Sequence, residues 1–266
     1  MKIKVNGIEM RYEITGEGRT LVLIHGYSDN MNMWYNQVPE FSKRCRVLTY
    51  DVRGFGESEK TGPYSMGIFA EDLYELLRAL DIKSACVLGY SMGGRIGLHL
   101  TFRHPEAVVG LVFANSGVGG AATPEREARW KMMVEILQTG DREAISEMMA
   151  TGSFSPAFKE RNPATFQRYK NIKIENDPSS YMPIMMAMMA ETTQLSDLNR
   201  VGCPALIIAG EKDGFMDVSL AKDMKASLKE ATLEIVPSGH AAALEVPEAF
   251  NRTVLDFLEK LPWPER

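Results

Sequence analysis

The residues with the clearest chemistry are Gly89-Tyr90-Ser91-Met92-Gly93-Gly94, which follow the apolar run Ala85–Gly89 and precede a helical stretch, Arg95–Phe102. A serine flanked by glycine two residues before and two after fits a very sharp strand-to-helix turn, where larger side chains would collide with neighbouring backbone. Such a turn lifts the hydroxyl into a cleft and sets it at a helix N-terminus, where free amides favour an anion. Ser91 therefore reads as a nucleophile. The backbone N–H of Met92 reads as one of two donors to a developing oxyanion, each worth about 3 kcal/mol of barrier. The second donor is assigned to the N–H of Tyr27, in His25-Gly26-Tyr27-Ser28, directly after the run Leu21–Ile24.

A serine hydroxyl needs a base, and the chain has four histidines. His25 sits beside the donor loop and reads as holding its shape. His99 lies two turns along the helix after Ser91 and reads as packing. His104, before Pro105, closes that helix, where a cation is favourable. His240 follows the run Thr232–Val236 on a loop, which is where a general base enters such a cleft. A base needs an orienting carboxylate. Asp213 stands three residues past the run Ala205–Gly210 and is preferred to Glu211, closer to the strand, and to Asp217, which reads as a helix N-cap. Arg95, Trp34, Met185 and Met189 are further candidates for contact with substrate.

These residues must be carried by a sheet. Leu21–Ile24, Arg46–Tyr50, Ala85–Gly89, Val108–Ala114, Ala205–Gly210 and Thr232–Val236 are apolar runs of strand length, and they predict parallel strands covered on both faces. Lys2–Val5 and Met10–Thr15 flank Asn6-Gly7, a hairpin signal because both turn positions need positive φ. Helical spacing of Ile68, Phe69, Leu73, Leu76, Leu77 and Leu80 predicts a helix capped by Ser65. A last helix is expected over Pro247–Lys260. Between 118 and 195 the strand-like runs stop, and helical pieces broken by prolines take over. Five of the 17 methionines fall in Tyr181–Met189. The expectation is an α/β architecture: a doubly wound, mostly parallel sheet of about eight strands with helices on both faces. Residues 1–117 and 196–266 form its core, and 118–195 an inserted helical lid. In such sheets the ligand site lies at the carboxyl ends of the strands, where Tyr27, Ser91, Asp213 and His240 all fall.

The chain has 266 residues and a net charge of −5, with hydrophobic residues at 45%. A mildly acidic chain without a basic run is a poor partner for nucleic acid or an anionic membrane. No stretch approaches ~18 consecutive apolar residues, which excludes a spanning helix. Residues 1–7 alternate like a strand and lack the apolar block of a signal peptide. Three widely spaced cysteines, Cys45, Cys86 and Cys203, without a CxxC, predict reduced thiols and a cytoplasmic protein. Neither metal-ligand spacing nor a phosphate-cradling loop stands out, and no cofactor is expected; Gly54-Phe55-Gly56 lacks the third glycine of a dinucleotide site.

Over nearly its whole length the chain resembles α/β-hydrolase-fold enzymes. The matching pieces are Leu23-Ile24-His25-Gly26, Asp51-Val52-Arg53-Gly54-Phe55-Gly56-Glu57-Ser58, Gly89–Gly94, Gly210–Asp213 and Gly239-His240. The chain order Ser91, Asp213, His240 is that of this fold. The resemblance implies a lid, two amide donors and a Ser-His-Asp triad; Asp51 and Arg53 are read as structural. Phe154–Pro163 is similar to the lid of 3-oxoadipate enol-lactonases. Gly89–Arg95 is similar to the elbow of menaquinone-pathway SHCHC synthases, where an arginine in the place of Arg95 holds a substrate carboxylate. The expected activity is hydrolysis of carboxylic esters of small-to-medium acyl or aromatic substrates through an acyl-enzyme on Ser91. Alternatives are lactone or enol-lactone hydrolysis, then C–C cleavage or an SHCHC synthase-like lyase reaction. The non-enzyme alternative is a small-molecule receptor. The lid methionines with Phe154, Phe158, Phe166 and Tyr169 together suggest an adaptable apolar pocket, while for any single one of them packing between lid helices is the favoured reading.

Overall fold

The computed structural model describes residues 1–118 and 124–263. The strands are β1 (Lys2–Val5), β2 (Ile8–Thr15), β3 (Thr20–Ile24), β4 (Arg46–Tyr50), β5 (Ala85–Tyr90), β6 (Val108–Ala114), β7 (Ala205–Gly210) and β8 (Ala231–Val236). They form one sheet in the order β1-β2-β4-β3-β5-β6-β7-β8. β2 runs antiparallel to both neighbours, and β4 through β8 are mutually parallel. The β1–β2 turn has Asn6 at φ 44° and Gly7 at φ 80°, as its dipeptide requires.

The helices are α1 (Val38–Phe41), α2 (Met66–Ala79), α3 (Met92–Arg103), α4 (Pro124–Thr139), α5 (Arg142–Ser153), α6 (Phe158–Arg161), α7 (Pro163–Ile174), α8 (Tyr181–Met189), α9 (Val218–Ser227), α10 (Ala242–Glu245) and α11 (Pro247–Lys260). The Ser65 hydroxyl caps α2 by accepting from the Ile68 N–H at 3.1 Å. Helix α3 begins immediately after Ser91, three residues before the expected start, because Gly93 and Gly94 belong to its first turn.

Two apolar layers sandwich the sheet, and period-2 alternation sorts residues between them. Val22, Ile24, Val87 and Phe113 share one cluster with Phe69, Leu73 and Leu76 of α2 and Ile96 and Leu100 of α3. Leu21, Leu23, Leu88 and Val112 share the other with Phe41 of α1 and Phe250, Val254 and Phe257 of α11. Each of these buried side chains contributes roughly 1.5–3 kcal/mol relative to exposure. The central strands β3 and β5 are buried along their full length, while edge strand β8 alternates between exposed and covered positions.

Helices α4–α8 follow one another between β6 and β7. Residues 119–123 of the expected lid, and 264–266 of the expected core, lie outside the described residues. Arg53 and Asp72 form a buried bidentate pair (2.7 and 2.6 Å) that ties the turn after β4 to α2. Asp51 accepts from the N–H groups of Met31 and Glu57, each at 2.8 Å. Among the described residues no helix is long and apolar enough to cross a membrane.

Candidate active site

The turn between β5 and α3 is as tight as its glycines suggested. Ser91 sits at φ 52°, ψ −113°, a conformation costing an L-residue about 1–3 kcal/mol. A Cβ on Gly89 would overlap the Gly93 backbone, and one on Gly93 would overlap the Ile24 carbonyl of the adjacent strand. The strained residue is held by the end of β6 and the residues just after it. The Ser91 N–H donates to Ala114 O at 3.0 Å, and the Ser116 hydroxyl donates to Ser91 O at 2.6 Å.

Three side chains from distant parts of the chain meet here. Ser91 Oγ lies 2.9 Å from His240 Nε2. His240 Nδ1 lies 2.8 Å from Asp213 Oδ2 and 3.0 Å from Oδ1. An ionised Asp213 can only accept, so Nδ1 carries the proton and Nε2 is free to accept from the serine. The imidazole is flanked by the rings of Tyr90 (5.2 Å) and Phe215 (4.8 Å). Burial works to raise the Asp213 carboxyl, but His240 and the N–H groups of Phe215 and Met216 outweigh it and hold the group below its ordinary range. Those two amides donate to Oδ1 at 2.8 and 3.0 Å. Glu211 is exposed, and Asp217 caps α9 through the Ser219 N–H at 2.6 Å.

Asn115 was not anticipated. Its Nδ2 donates to Asp213 Oδ2 at 3.1 Å and to Gly239 O at 3.2 Å. It thus bridges the carboxylate and the loop bearing His240. The signal was available: Asn115 directly follows β6 at the carboxyl edge of the sheet, and at φ 48° it occupies a region that asparagine tolerates.

The other histidines take structural places. His25 is fully buried; its Nε2 accepts from the Val52 N–H at 2.9 Å, so Nδ1 is the protonated nitrogen and donates to Gly26 O at 2.8 Å. Burial lowers its pKa, which keeps the ring neutral. His99 contacts Glu191 at 2.8 Å, and His104 contacts Glu71 at 3.0 Å while stacking on Tyr74.

A cavity of about 150 Å³ opens over Ser91 and His240, and Tyr27 and Met92 line it. Met92 is the first residue of α3, so its N–H has no intrahelical partner. Arg95 and Met185 also line the cavity; Trp34 and Met189 do not. Trp34 is instead fully buried in the layer against Leu21, Leu23 and Phe41. Met189 ends α8 and is 51% exposed, because the face turned to the cavity is that of Met185 and Met188. Of the lid aromatics, Tyr169 lines the cavity, whereas Phe154, Phe158 and Phe166 do not and take the packing role favoured for each singly. They stack on one another (Phe154–Phe158 centroids 4.4 Å) and pack helices together. The apolar wall comes from Trp130, Met133, Met149 and Leu220 as well as Met185 and Met188.

Two arginines reach this wall. Arg95 donates from Nε to Gly117 O (3.0 Å) and from Nη1 to Met188 O (3.4 Å). Arg129 donates to Gly214 O and lies 4.8 Å from the Phe215 ring centroid. Lys173 of the α7 C-terminus lines the cavity too, paired with Asp29. Among the described residues no cluster of three or more His, Cys, Asp or Glu side chains is placed to hold a metal ion.

Comparison with known proteins gives the same architecture. The model of the alpha/beta hydrolase fold family matches residues 19–171. A 3-oxoadipate enol-lactonase of Acinetobacter baylyi is 29% identical over 250 residues, covering 93% of this chain and 92% of its own. A pimeloyl-[acyl-carrier protein] methyl ester esterase of Vibrio vulnificus is 27% identical over 260 residues, covering 95% and 99%. The crystal structure of an enol-lactonase from Burkholderia xenovorans superposes with a TM-score of 0.90 at 28% identity, covering 98% of this chain and 100% of that one.

Proposed function

Since the chain belongs to the alpha/beta hydrolase fold family, we propose that it is a serine hydrolase cleaving carboxylic esters of small-to-medium acyl or aromatic substrates through an acyl-enzyme on Ser91. The observation that carries this reading is the hydrogen-bonded series Ser91 Oγ–His240 Nε2 (2.9 Å) and His240 Nδ1–Asp213 (2.8 Å) at the floor of a cavity. The fold alone would not, because one fold hosts many activities.

In this mechanism His240 takes the serine proton as Ser91 Oγ attacks the ester carbonyl carbon. The tetrahedral oxyanion rests on the N–H groups of Tyr27 and Met92. His240 then gives its proton to the leaving alkoxide, and the alcohol departs. Water, deprotonated by the same imidazole, attacks the acyl-enzyme, and the acid leaves with Ser91 restored. Asp213 fixes the tautomer and stabilises the transient imidazolium, and Asn115 holds Asp213. The helices of 118–195 act as a lid whose methionines shape the acyl site. The setting is cytoplasmic, which the free thiols of Cys45, Cys86 and Cys203 favour.

Arg129 at the cavity wall favours substrates that also carry a carboxylate. Arg129 makes no ion pair among the described residues, so an incoming carboxylate would meet a guanidinium that is not already neutralised. A lactone is the second reading, favoured by likeness to the enol-lactonases. It changes the leaving group and leaves the roles of Ser91, His240 and Asp213 intact.

The test is a panel of neutral esters, carboxylate-bearing esters and lactones, assayed on the wild type and on Ser91→Ala. Loss of every activity in a folded Ser91→Ala variant is expected; turnover surviving it would refute the nucleophile. The class turned over fastest separates the ester from the lactone reading.

A further inference from the structure

Lys173 and Asp29 form an ion pair at 2.6 Å, with side chains only 3% and 1% exposed. Taking two charges out of water is costly, and apolar residues of the same size would serve stability as well or better. The partners of this pair therefore matter. Lys173 Nζ also donates to Ser28 Oγ at 3.1 Å, and Tyr169 Oη donates to Asp29 Oδ2 at 3.2 Å. Asn176, just past α7, donates to Ser28 O at 3.0 Å. Asn30 Nδ2 donates to Ile172 O at 3.1 Å, and Tyr27 Oη to Tyr181 O at 2.9 Å. Every residue from 27 to 30 is tied to α7, α8 or the turn between them. Ser28 is held at φ 63°.

The consequence runs through a single peptide plane. Gly26 O and the Tyr27 N–H belong to the same rigid, planar unit and point in opposite directions. Gly26 O accepts from His25 Nδ1 at 2.8 Å and from the Asp29 N–H at 3.3 Å. The first tie comes from the core, because His25 is itself anchored on the Val52 N–H. The second depends on where Asp29 sits, and Asp29 is gripped by Lys173 and Tyr169 of α7.

We infer that Lys173, acting through Asp29, is a positioning residue that aims the Tyr27 N–H into the cavity, so that the oxyanion site is completed only when helix α7 is docked on the loop after β3. This rests on the proposed role of Tyr27 as a donor. Lys173 itself does no proton transfer and does not touch the reacting atoms. Misaiming one donor by a fraction of an ångström weakens the transition state far more than ground-state binding.

The experiment uses Asp29→Asn/Lys173→Met, which removes both charges at once and leaves neither buried alone. Kinetics are read on 4-nitrophenyl butyrate and on monomethyl adipate, with melting temperature as the fold control. The expected result is a folded protein with kcat lower by about 10- to 100-fold and KM within about twofold for both esters, the split of an interaction made only in the transition state. An unchanged kcat would mean that the pair is only structural and would overturn the inference. A raised KM confined to monomethyl adipate, with kcat kept, would make Lys173 a substrate contact and overturn it as well. If the double variant does not fold, Asn176→Ala is read by the same criteria, since Asn176 holds Ser28 from outside the cavity. A wild type that neither hydrolyses any ester nor reacts with a fluorophosphonate would instead mark failure of the hydrolase reading itself.

Discussion

At the scale of single residues, the proposed chemistry turns on which groups carry protons. Only a neutral His240 can accept from Ser91. Asp213 is held below the ordinary carboxylate range, so it is ionised above its lowered pKa. The sign is therefore fixed: activity should rise with pH through one protonation, and Asp213 should add no second one on the acid limb. A plot of log kcat/KM against pH should have a limiting slope of +1; a slope of +2 would contradict the assignment. Asp213→Asn should keep the fold and lower kcat by roughly 10³- to 10⁴-fold, because the amide can present an N–H to Nδ1 and stabilise the wrong tautomer. A loss under tenfold would point to another orienting group, with Asn115 the first to examine.

At the scale of elements, the joints between α4–α8 and the rest of the molecule carry much of the polar structure. One joint is the Glu191 carboxylate after α8, which meets His99 of α3 at 2.8 Å and the Thr193 N–H at 2.9 Å. Burial opposes its charge, but the hydrogen bonds from His99 and Thr193 bring its pKa down to about 2. A carboxylate with a depressed pKa stabilises the fold above its unfolded value, roughly 4.3, and that stability is lost as pH falls toward the folded value. Glu191→Gln should therefore lower the melting temperature at pH 6, and the gap from wild type should narrow progressively below about pH 4.3. Melting curves of the two proteins at pH 6 and pH 3.5 test this; an equal gap at both would exclude the ionic contribution.

At the scale of the whole molecule, the cavity draws its walls from distant parts of the chain: the loops after β3, β5 and β6, helices α4, α5, α7 and α8, the segment from Phe215 to Leu220, and His240. Its arginines come together only at that level too, since Arg95 belongs to α3 and Arg129 to α4. If Arg129 receives a substrate carboxylate, Arg129→Ala should raise KM for monomethyl adipate by about tenfold or more, the worth of one charge-assisted hydrogen bond. KM for 4-nitrophenyl butyrate should move less than about twofold. Parallel changes on both esters would show that Arg129 shapes the cavity without recognising charge.

The amino-acid sequence by itself determined the strands of the sheet, the tight turn at Ser91 and the choice of His240 and Asp213 as the residues proposed to act with it. Those features are local: a run of buried apolar residues, glycines where a Cβ would strike backbone, and polar residues at strand ends. Asn115 obeyed the same rule and was legible on that ground. What only the tertiary structure decided was which side chains face one another. Trp34, Met189 and the phenylalanines from 154 to 166 have the composition of a pocket wall but turn into the core, toward solvent or onto each other. Lys173 and Asp29 are separated by 144 positions, and in isolation each looks like a surface charge. Helix rotation and the docking of α7 onto a loop are long-range packing outcomes, in which small differences in burial choose among faces of similar composition. No short window of sequence contains that choice.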